Sequence, residues 1–222
     1  MCIRDIELPS YSLKEELWNS ISHGLGAIAA LIMAPFFMIK AIERGTVISI
    51  ISVSIYLFAF FITFLFSCLY HGLGRNNGKR VFRILDHDGV FLLIMGSYAP
   101  FSLVALYESG QQIWGILVFC FVYALSILGI VLNSINIKKY AVLSYVLYIG
   151  LGSTIVLALY PLYLAKGFIF CLWLFLSGCL YWIGAMLYAF GKKKSTKFHV
   201  VFRFSILAAA ISMALEIYFL VL

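Results

Sequence analysis

The sequence predicts an all-α integral membrane protein, a bundle of seven transmembrane helices with its N-terminus in the cytoplasm and its C-terminus outside. Composition, the pattern of uncharged runs and the distribution of basic residues all indicate this fold. Of the 222 residues, 64% are hydrophobic and 11% are charged, and the mean hydropathy is +1.05. A soluble domain is about 45–50% apolar and about 25% charged, so this composition excludes a globular fold in water.

The uncharged runs divide the chain into helices. A bilayer-spanning helix needs about 20 apolar residues. The predicted helices cover approximately residues 17–39, 47–70, 86–107, 113–135, 140–163, 167–190 and 199–221. Glu216 interrupts the last run, and we expect it to pair within the bundle or to reach the outer interface. Residues 1–16 are predicted to form a cytoplasmic N-terminal segment, and residues 17–222 a single transmembrane domain.

The basic residues orient the bundle. When seven helices alternate in direction, thirteen of the 16 Lys and Arg residues fall on one side, and Lys40, Arg44 and Lys166 fall on the other. Lys and Arg in short loops mark the cytoplasmic side of a membrane protein. This distribution accounts for the net charge of +7 without nucleic acid, and it predicts a multi-pass protein of the plasma membrane with lipids as its partners.

Polar residues at membrane depth indicate a site. All four histidines fall near the cytoplasmic ends of predicted helices, together with Asp86 and Arg203; they are His23, His71, His87 and His199. One histidine is well accommodated at an interface, but ionisable groups within the bilayer usually face the bundle interior. Four on one side, beside a carboxylate, favour a shared polar site.

The spacing of these residues suggests possible chemistry. Ser67 and His71 are four residues apart, as are His199 and Arg203, so each pair lies on one helix face. With Asp86, these groups could hold a metal and activate a water molecule. Two imidazoles alone make a weak site, however, because catalytic zinc normally takes three protein ligands.

Five motifs resemble a known family. They are EELWNSISHGLG (Glu15–Gly26), SCLYH (Ser67–His71), LDHDGVFLLIMGSYAPF (Leu85–Phe101), GCLYWIGAMLY (Gly178–Tyr188) and FH (Phe198–His199). In this order, on the expected helices, they are similar to the bacterial haemolysin III proteins, relatives of the progestin and adipoQ receptors. The resemblance implies a seven-helix fold in a bacterial membrane, with zinc bound near the cytoplasmic side.

The resemblance also implies roles for individual residues. The family pattern is Ser-x-x-x-His on the second helix, Asp at the start of the third and His-x-x-x-His on the seventh, with three histidines holding zinc. Ser67, His71, Asp86 and His199 match it, and Arg203 stands at the third ligand position. An intact site would hydrolyse lipid amides, with Asp86 as proton acceptor and Ser67 steadying the carbonyl oxygen.

Arg203 leaves three alternatives open. In the first, the site is metal-free and Arg203 pairs with Asp86. In the second, zinc remains on His71, His199 and Asp86, and Arg203 turns toward lipid headgroups. In the third, His23 or His87 replaces the missing ligand. Three functions are compatible with such a protein. They are a zinc-dependent lipid amide hydrolase, a non-enzymatic lipid-binding or sensor protein, and a cytolysin, as the family name suggests.

Overall fold

The computed structural model describes residues 3–191 and 197–222, without the side chains of Asp5 and of residues 188–191 and 197–200. All regular structure in these ranges is helical. The α-helices are α1 (Leu13–Glu43), α2 (Val47–Gly72), α3 (Asn77–Ala99), α4 (Gln112–Ile135), α5 (Ala141–Ser153), α6 (Leu159–Gly191) and α7 (Lys197–Glu216). Two 3₁₀ segments are Ile3–Asp5 and Thr154–Ala158, and two π-helical segments, Pro100–Tyr107 and Ile217–Val221, continue α3 and α7.

Six stretches of the described chain are long and apolar enough to cross a membrane. The longest is Ala141–Leu187, a run of 47 residues that includes α5 and most of α6. Within α6 the backbone is non-helical at Gly167, where φ is 82° and ψ is −177°. A positive φ of this size is readily adopted by glycine and rarely by other residues, so the helix direction breaks at this point.

Helix α1 begins at Leu13, four residues before the predicted start. Ser12 caps it, because its hydroxyl accepts a hydrogen bond from the Glu15 amide at 3.3 Å while the Glu15 carboxylate accepts one from the Ser12 amide at 2.8 Å. Such a capping box satisfies two amides that the first helical turn leaves without partners. The prediction from apolar runs was therefore too short, because the first turn is polar.

Helix α3 begins at Asn77, and the predicted start at residue 86 was wrong. The Asn76 side chain accepts a hydrogen bond from the Lys79 amide at 2.9 Å and caps the helix. Residues 77–85 form more than two turns that contain Lys79, Arg80 and Arg83. A hydropathy pattern places the start of a membrane helix after the last charged residue, whereas the helix itself begins where a capping side chain is available.

Helices α2 and α3 form the centre of the bundle. In an 18-residue apolar window of the span that contains α3, 72% of the window is buried inside the bundle, the largest share among the six spans. The share for α2 is 50%. Gly96 of α3 packs directly against Ala59 of α2, and the rings of Phe60 and Phe64 fill the interior beside them. Residues at the ends of these two helices are therefore enclosed by the remaining helices.

Candidate functional site

Four helices bring polar side chains together at one end of the bundle, the end that the sequence analysis assigns to the cytoplasm. Helix α1 provides His23, α2 provides Ser67, α3 provides Asp86 and α7 provides Arg203. We call these four residues the Arg203 centre. Its members come from positions up to 180 residues apart in the chain, so only the folded bundle creates it.

The guanidinium of Arg203 connects the other three members. Its Nη2 atom lies 3.0 Å from the Asp86 carboxylate, and the two side chains are only 5% and 10% exposed. Its Nη1 atom donates a hydrogen bond to the Ser67 hydroxyl and lies 3.3 Å from Nδ1 of His23. A guanidinium offers five N–H donors in a planar fork and no acceptor, which suits a centre that surrounds one cation with oxygen and nitrogen acceptors.

His71 lies one turn beyond Ser67 on α2, and its contacts differ. Its ring is buried, and Nδ1 is 2.5 Å from one carboxylate oxygen of Glu16 on α1. The other Glu16 oxygen is 2.8 Å from the ammonium group of Lys79, which also donates to the Leu73 carbonyl at 2.9 Å. The carboxylate therefore orients the imidazole through one nitrogen, and the lysine neutralises the carboxylate.

His87 and Asp88 point away from the centre, although they follow Asp86 in sequence. Successive helical residues lie on different faces. His87 places Nδ1 2.8 Å from the carbonyl oxygen of Arg83, one turn earlier, and Asp88 accepts a hydrogen bond from Ser134 of α4 at 3.0 Å. Among the described side chains, no hydrogen bond joins His87 to the Arg203 centre.

The N-terminal segment covers the same end of the bundle. Side chains of the α2–α3 connection and of α3 donate to its backbone; these contacts are Arg75 to the Leu8 and Pro9 carbonyls, Arg80 to Ile6, and Arg83 to Glu7. Ile6 is buried, and the ring of Tyr11 lies 5.6 Å from that of His71. The Glu7 carboxylate binds Lys138 at 2.8 Å, and this hydrogen bond lowers the pKa of Glu7.

Comparison with known proteins identifies the family. The model of the family described as haemolysin-III related matches residues 11–214. The chain belongs to the haemolysin III family. It is 33% identical to Hemolysin-3 of Bacillus cereus over 183 residues, which is 81% of this chain and 80% of the relative. It is 30% identical to the Hemolysin-3 homolog of Bacillus subtilis (strain 168) over 204 residues, 91% of this chain and 92% of the relative.

Family membership makes this chain a multi-pass membrane protein and raises the question of zinc. The described residues do not fit that metal. No three His, Cys, Asp or Glu side chains in the described part of the chain lie close enough to hold an ion. Arg203, at the position where the resemblance implies a third histidine, is a buried guanidinium, which has no lone pair to offer. The His199 side chain lies outside the described residues, and only its backbone position, one turn before Arg203 on α7, is given.

Two residues of this haemolysin III site were missed in the sequence, namely Glu16 and Lys79. A signal for Glu16 was present, because Glu15 is the residue that the capping box uses and its neighbour has no role in the cap. Glu16 is also seven residues before His23, a separation that places both on one face of α1. For Lys79 there was no comparable signal, since it lies in a basic connection that topology alone explains.

Proposed function

We propose that this haemolysin III protein is a non-enzymatic, lipid-binding membrane protein whose polar site is held by the Asp86–Arg203 ion pair instead of zinc. The proposal rests on the position of the Arg203 guanidinium, which is 4% exposed and contacts both Asp86 and Ser67. A buried carboxylate needs a nearby cation to offset its loss of hydration. Arg203 supplies that charge from inside the protein.

The same contacts argue against lipid amide hydrolysis. A general base must be free to accept a proton from water, and a group that stabilises a carbonyl oxygen must be free to donate to it. Asp86 is paired with a permanent cation, so its carboxylate is not free to take a proton from water. Ser67 accepts a hydrogen bond from the same guanidinium and keeps its own O–H donor. These contacts support a structural role for Asp86 in the site.

Lipid is the ligand class that the surrounding surface supports. Large apolar side chains form an exposed stripe along α1; they are Leu17, Ile21, Leu25, Ile28 and Ile32. Buried His23 lies on the opposite face of this helix, within the Arg203 centre. A lipid lying along α1 would place its acyl chains on the stripe and its headgroup beside the end of the bundle that holds the centre.

We also propose seven spans with a cytoplasmic N-terminus in the plasma membrane. A helical run of 47 residues would be about 70 Å long at about 1.5 Å per residue, more than twice the roughly 30 Å thickness of a bilayer core. The break at Gly167 divides Ala141–Leu187 into two halves of suitable length. Lys166 and Arg44 both donate to the Val221 carbonyl, at 3.3 Å and 3.2 Å. Because Val221 and Arg203 lie at opposite ends of the last span, Lys166, Arg44 and Val221 lie at the end of the bundle opposite the Arg203 centre.

Zinc content tests the metal-free site directly. The wild type and Arg203→His are purified in detergent without chelators, and bound zinc is measured by inductively coupled plasma mass spectrometry. We expect substoichiometric zinc in the wild type and a gain of about one zinc per chain in Arg203→His. The gain must be lost in the matched control, His71→Ala combined with Arg203→His. Stoichiometric zinc in the wild type contradicts the metal-free site.

Lipid binding and turnover separate the remaining functions. We expect native mass spectrometry of the wild type to detect bound membrane lipid. Ceramide-type and acyl-amide substrates in detergent should be hydrolysed no faster by the wild type than by Asp86→Ala. Turnover above that control establishes the hydrolase instead, and absence of bound lipid contradicts lipid binding.

The names of the relatives suggest a third function, since one is called Hemolysin-3 and the other Hemolysin-3 homolog. We infer that any lysis by this chain is indirect, because its helices are broadly apolar and a secreted pore-former must be soluble before it inserts. Lysis of erythrocytes by the purified wild type, measured beside an equal amount of detergent alone, would overturn this inference.

A further inference from the structure

Glu216 is a carboxyl group buried inside the bundle, at the end of α7. Its side chain is 0% exposed, and neither carboxylate oxygen has a hydrogen-bond partner among the described residues. The sequence led us to expect pairing within the bundle or contact with the interface, and the described part of the structure contains neither. A bare carboxylate at such a position would be costly, and an ionisable group within a membrane helix marks a functional site.

The groups around Glu216 include no counter-ion within the described chain. Tyr56 of α2 and Cys171 of α6 are close enough for the charge of Glu216 to act on them, and Tyr181 of α6 acts on Tyr56. The Tyr56 hydroxyl is buried and, among the described residues, also lacks a hydrogen-bond partner. Ser52, one turn away on the same face of α2, shares this property. Buried oxygen atoms of α2 and α7 therefore occupy one region of the interior.

The cations at this end of the bundle have other partners. Lys40 of α1 donates to the Tyr218 carbonyl, and its ammonium lies 4.4 Å from the centre of the Tyr218 ring. Arg44 pairs with Glu108 at 2.9 Å, and Lys166 donates to the Val221 carbonyl. All three cations donate hydrogen bonds to backbone carbonyls of the segment Ile217–Val221. Each of these three cations is therefore engaged with a group other than the Glu216 carboxyl.

We propose that Glu216 is a proton-binding site, which holds one proton taken from water on its carboxyl group. The added proton makes the group neutral, so it needs no counter-ion. A metal ion fits less well, because Ca²⁺ takes about six to eight oxygen ligands and the charged ligands here amount to one carboxylate.

This site is separate from the Arg203 centre. Between Tyr56 and Ser67, α2 carries Phe60 and Phe64, both 0% exposed, with ring centres 4.7 Å apart. Tyr56 and Ser67 are eleven residues apart, about 16 Å along the helix axis. Proton binding at Glu216 therefore does not depend on the proposed function, and its consequence is local. Loss of the proton would place an unpaired charge among α1, α2 and α6 and weaken the packing of α7.

Infrared spectroscopy tests the site in purified full-length protein reconstituted in lipid nanodiscs. A protonated carboxyl has its own C=O band, which shifts in D₂O. We expect the wild type to show such a band at neutral pH, and Glu216→Gln to lack it. Asp88→Asn, which alters another carboxyl within a spanning helix, and Glu108→Gln, which alters one just beyond the end of a span, must both retain it. The proposal is overturned if the wild type lacks the band or if Glu216→Gln keeps it.

Two further arms make the result independent of folding of the glutamine variant. Tyr56→Phe removes a buried hydroxyl but keeps the ring, and we expect it to leave the Glu216 band in place; loss of the band in this variant contradicts a proton held by the Glu216 carboxyl itself. Exchange of sodium chloride for choline chloride should leave the band unchanged at neutral pH. If sodium ions remove the band, the site binds a monovalent metal ion and the proton assignment is wrong.

Discussion

The ion pair between Arg203 and Asp86 shows how one residue can alter a site without altering the fold around it. The Arg203 side chain reaches from α7 to the Asp86 carboxylate on α3. It also engages Ser67 and approaches His23. Because the guanidinium is always charged, its presence fixes Asp86 as a carboxylate.

Removal of this cation tests the energetic side of the pair. We expect Arg203→Ala to lower the free energy of unfolding by about 3–5 kcal/mol, because it leaves Asp86 charged and buried. The double variant Arg203→Ala with Asp86→Asn should recover part of the loss. Thermal unfolding in detergent, followed by circular dichroism, measures both.

The matched control for this cycle is Lys138→Ala. It breaks the Lys138–Glu7 pair, whose side chains are 77% and 74% exposed, and such surface pairs contribute little. We expect no measurable change in its unfolding. If Arg203→Ala unfolds like Lys138→Ala, the buried pair does not hold the end of the bundle together.

Spacing and resemblance brought forward Ser67, His71, Asp86 and Arg203, but they could not give the partner of each residue. His71 contacts Glu16 at 2.5 Å, whereas Ser67, one helical turn away, contacts Arg203. The sequence grouped His87 with Asp86 as neighbours, and helical geometry separates them. Partners depend on the rotation and height of each helix, which an apolar pattern does not specify.

At the scale of the helices, close contact between α2 and α3 depends on small residues. A Cβ atom added at Gly96 would lie 2.4 Å from the Cβ of Ala59. Membrane helices associate by packing and not by exclusion of water, so small residues at their interfaces let the backbones approach. Gly96 and Ala59 serve this purpose beside the buried aromatic core.

Substitution of Gly96 tests this contact. We expect Gly96→Ala to lower the free energy of unfolding by about 1–3 kcal/mol, because the added methyl forces the helices apart in a packed interior. Gly150→Ala on α5 is the control, since a Cβ there meets nothing within 4 Å. It should be neutral or stabilising, as alanine favours the helix over glycine by about 1 kcal/mol. Equal effects of the two variants in thermal unfolding would show that the α2–α3 contact is not tight.

The sequence predicted the apolar middle of each helix better than its ends. Runs such as residues 47–70 lie inside α2 (Val47–Gly72) because desolvation determines both the pattern and the structure. The starts of α1 and α3 depend instead on caps formed by Ser12 and Asn76. Hydropathy does not report these contacts, and polar turns outside the apolar run were therefore assigned to loops.

At the scale of the whole molecule, the break at Gly167 decides the number of spans. The six apolar stretches of the described chain count Ala141–Leu187 once, whereas the charge pattern of the sequence counts it twice. With a cytoplasmic N-terminus, six spans return the C-terminus to the cytoplasm and seven leave it outside. The two topologies therefore differ in the location of everything that follows residue 167.

Reporter fusions at the C-terminus and within the chain distinguish the two topologies. We expect alkaline phosphatase, which is active only outside the cytoplasm, to be active when fused after residue 222 or after residue 166. Fused after residue 138 or after residue 194, it should be inactive, whereas green fluorescent protein at those two positions should fluoresce. The fusion after residue 138 is the internal control, because both topologies place it in the cytoplasm after four spans. Phosphatase activity after residue 194, together with an inactive fusion after residue 222, would show that Ala141–Leu187 crosses the membrane once. It would also contradict the Arg203 centre, because Arg203 would then lie on the side opposite to His23, Ser67 and Asp86.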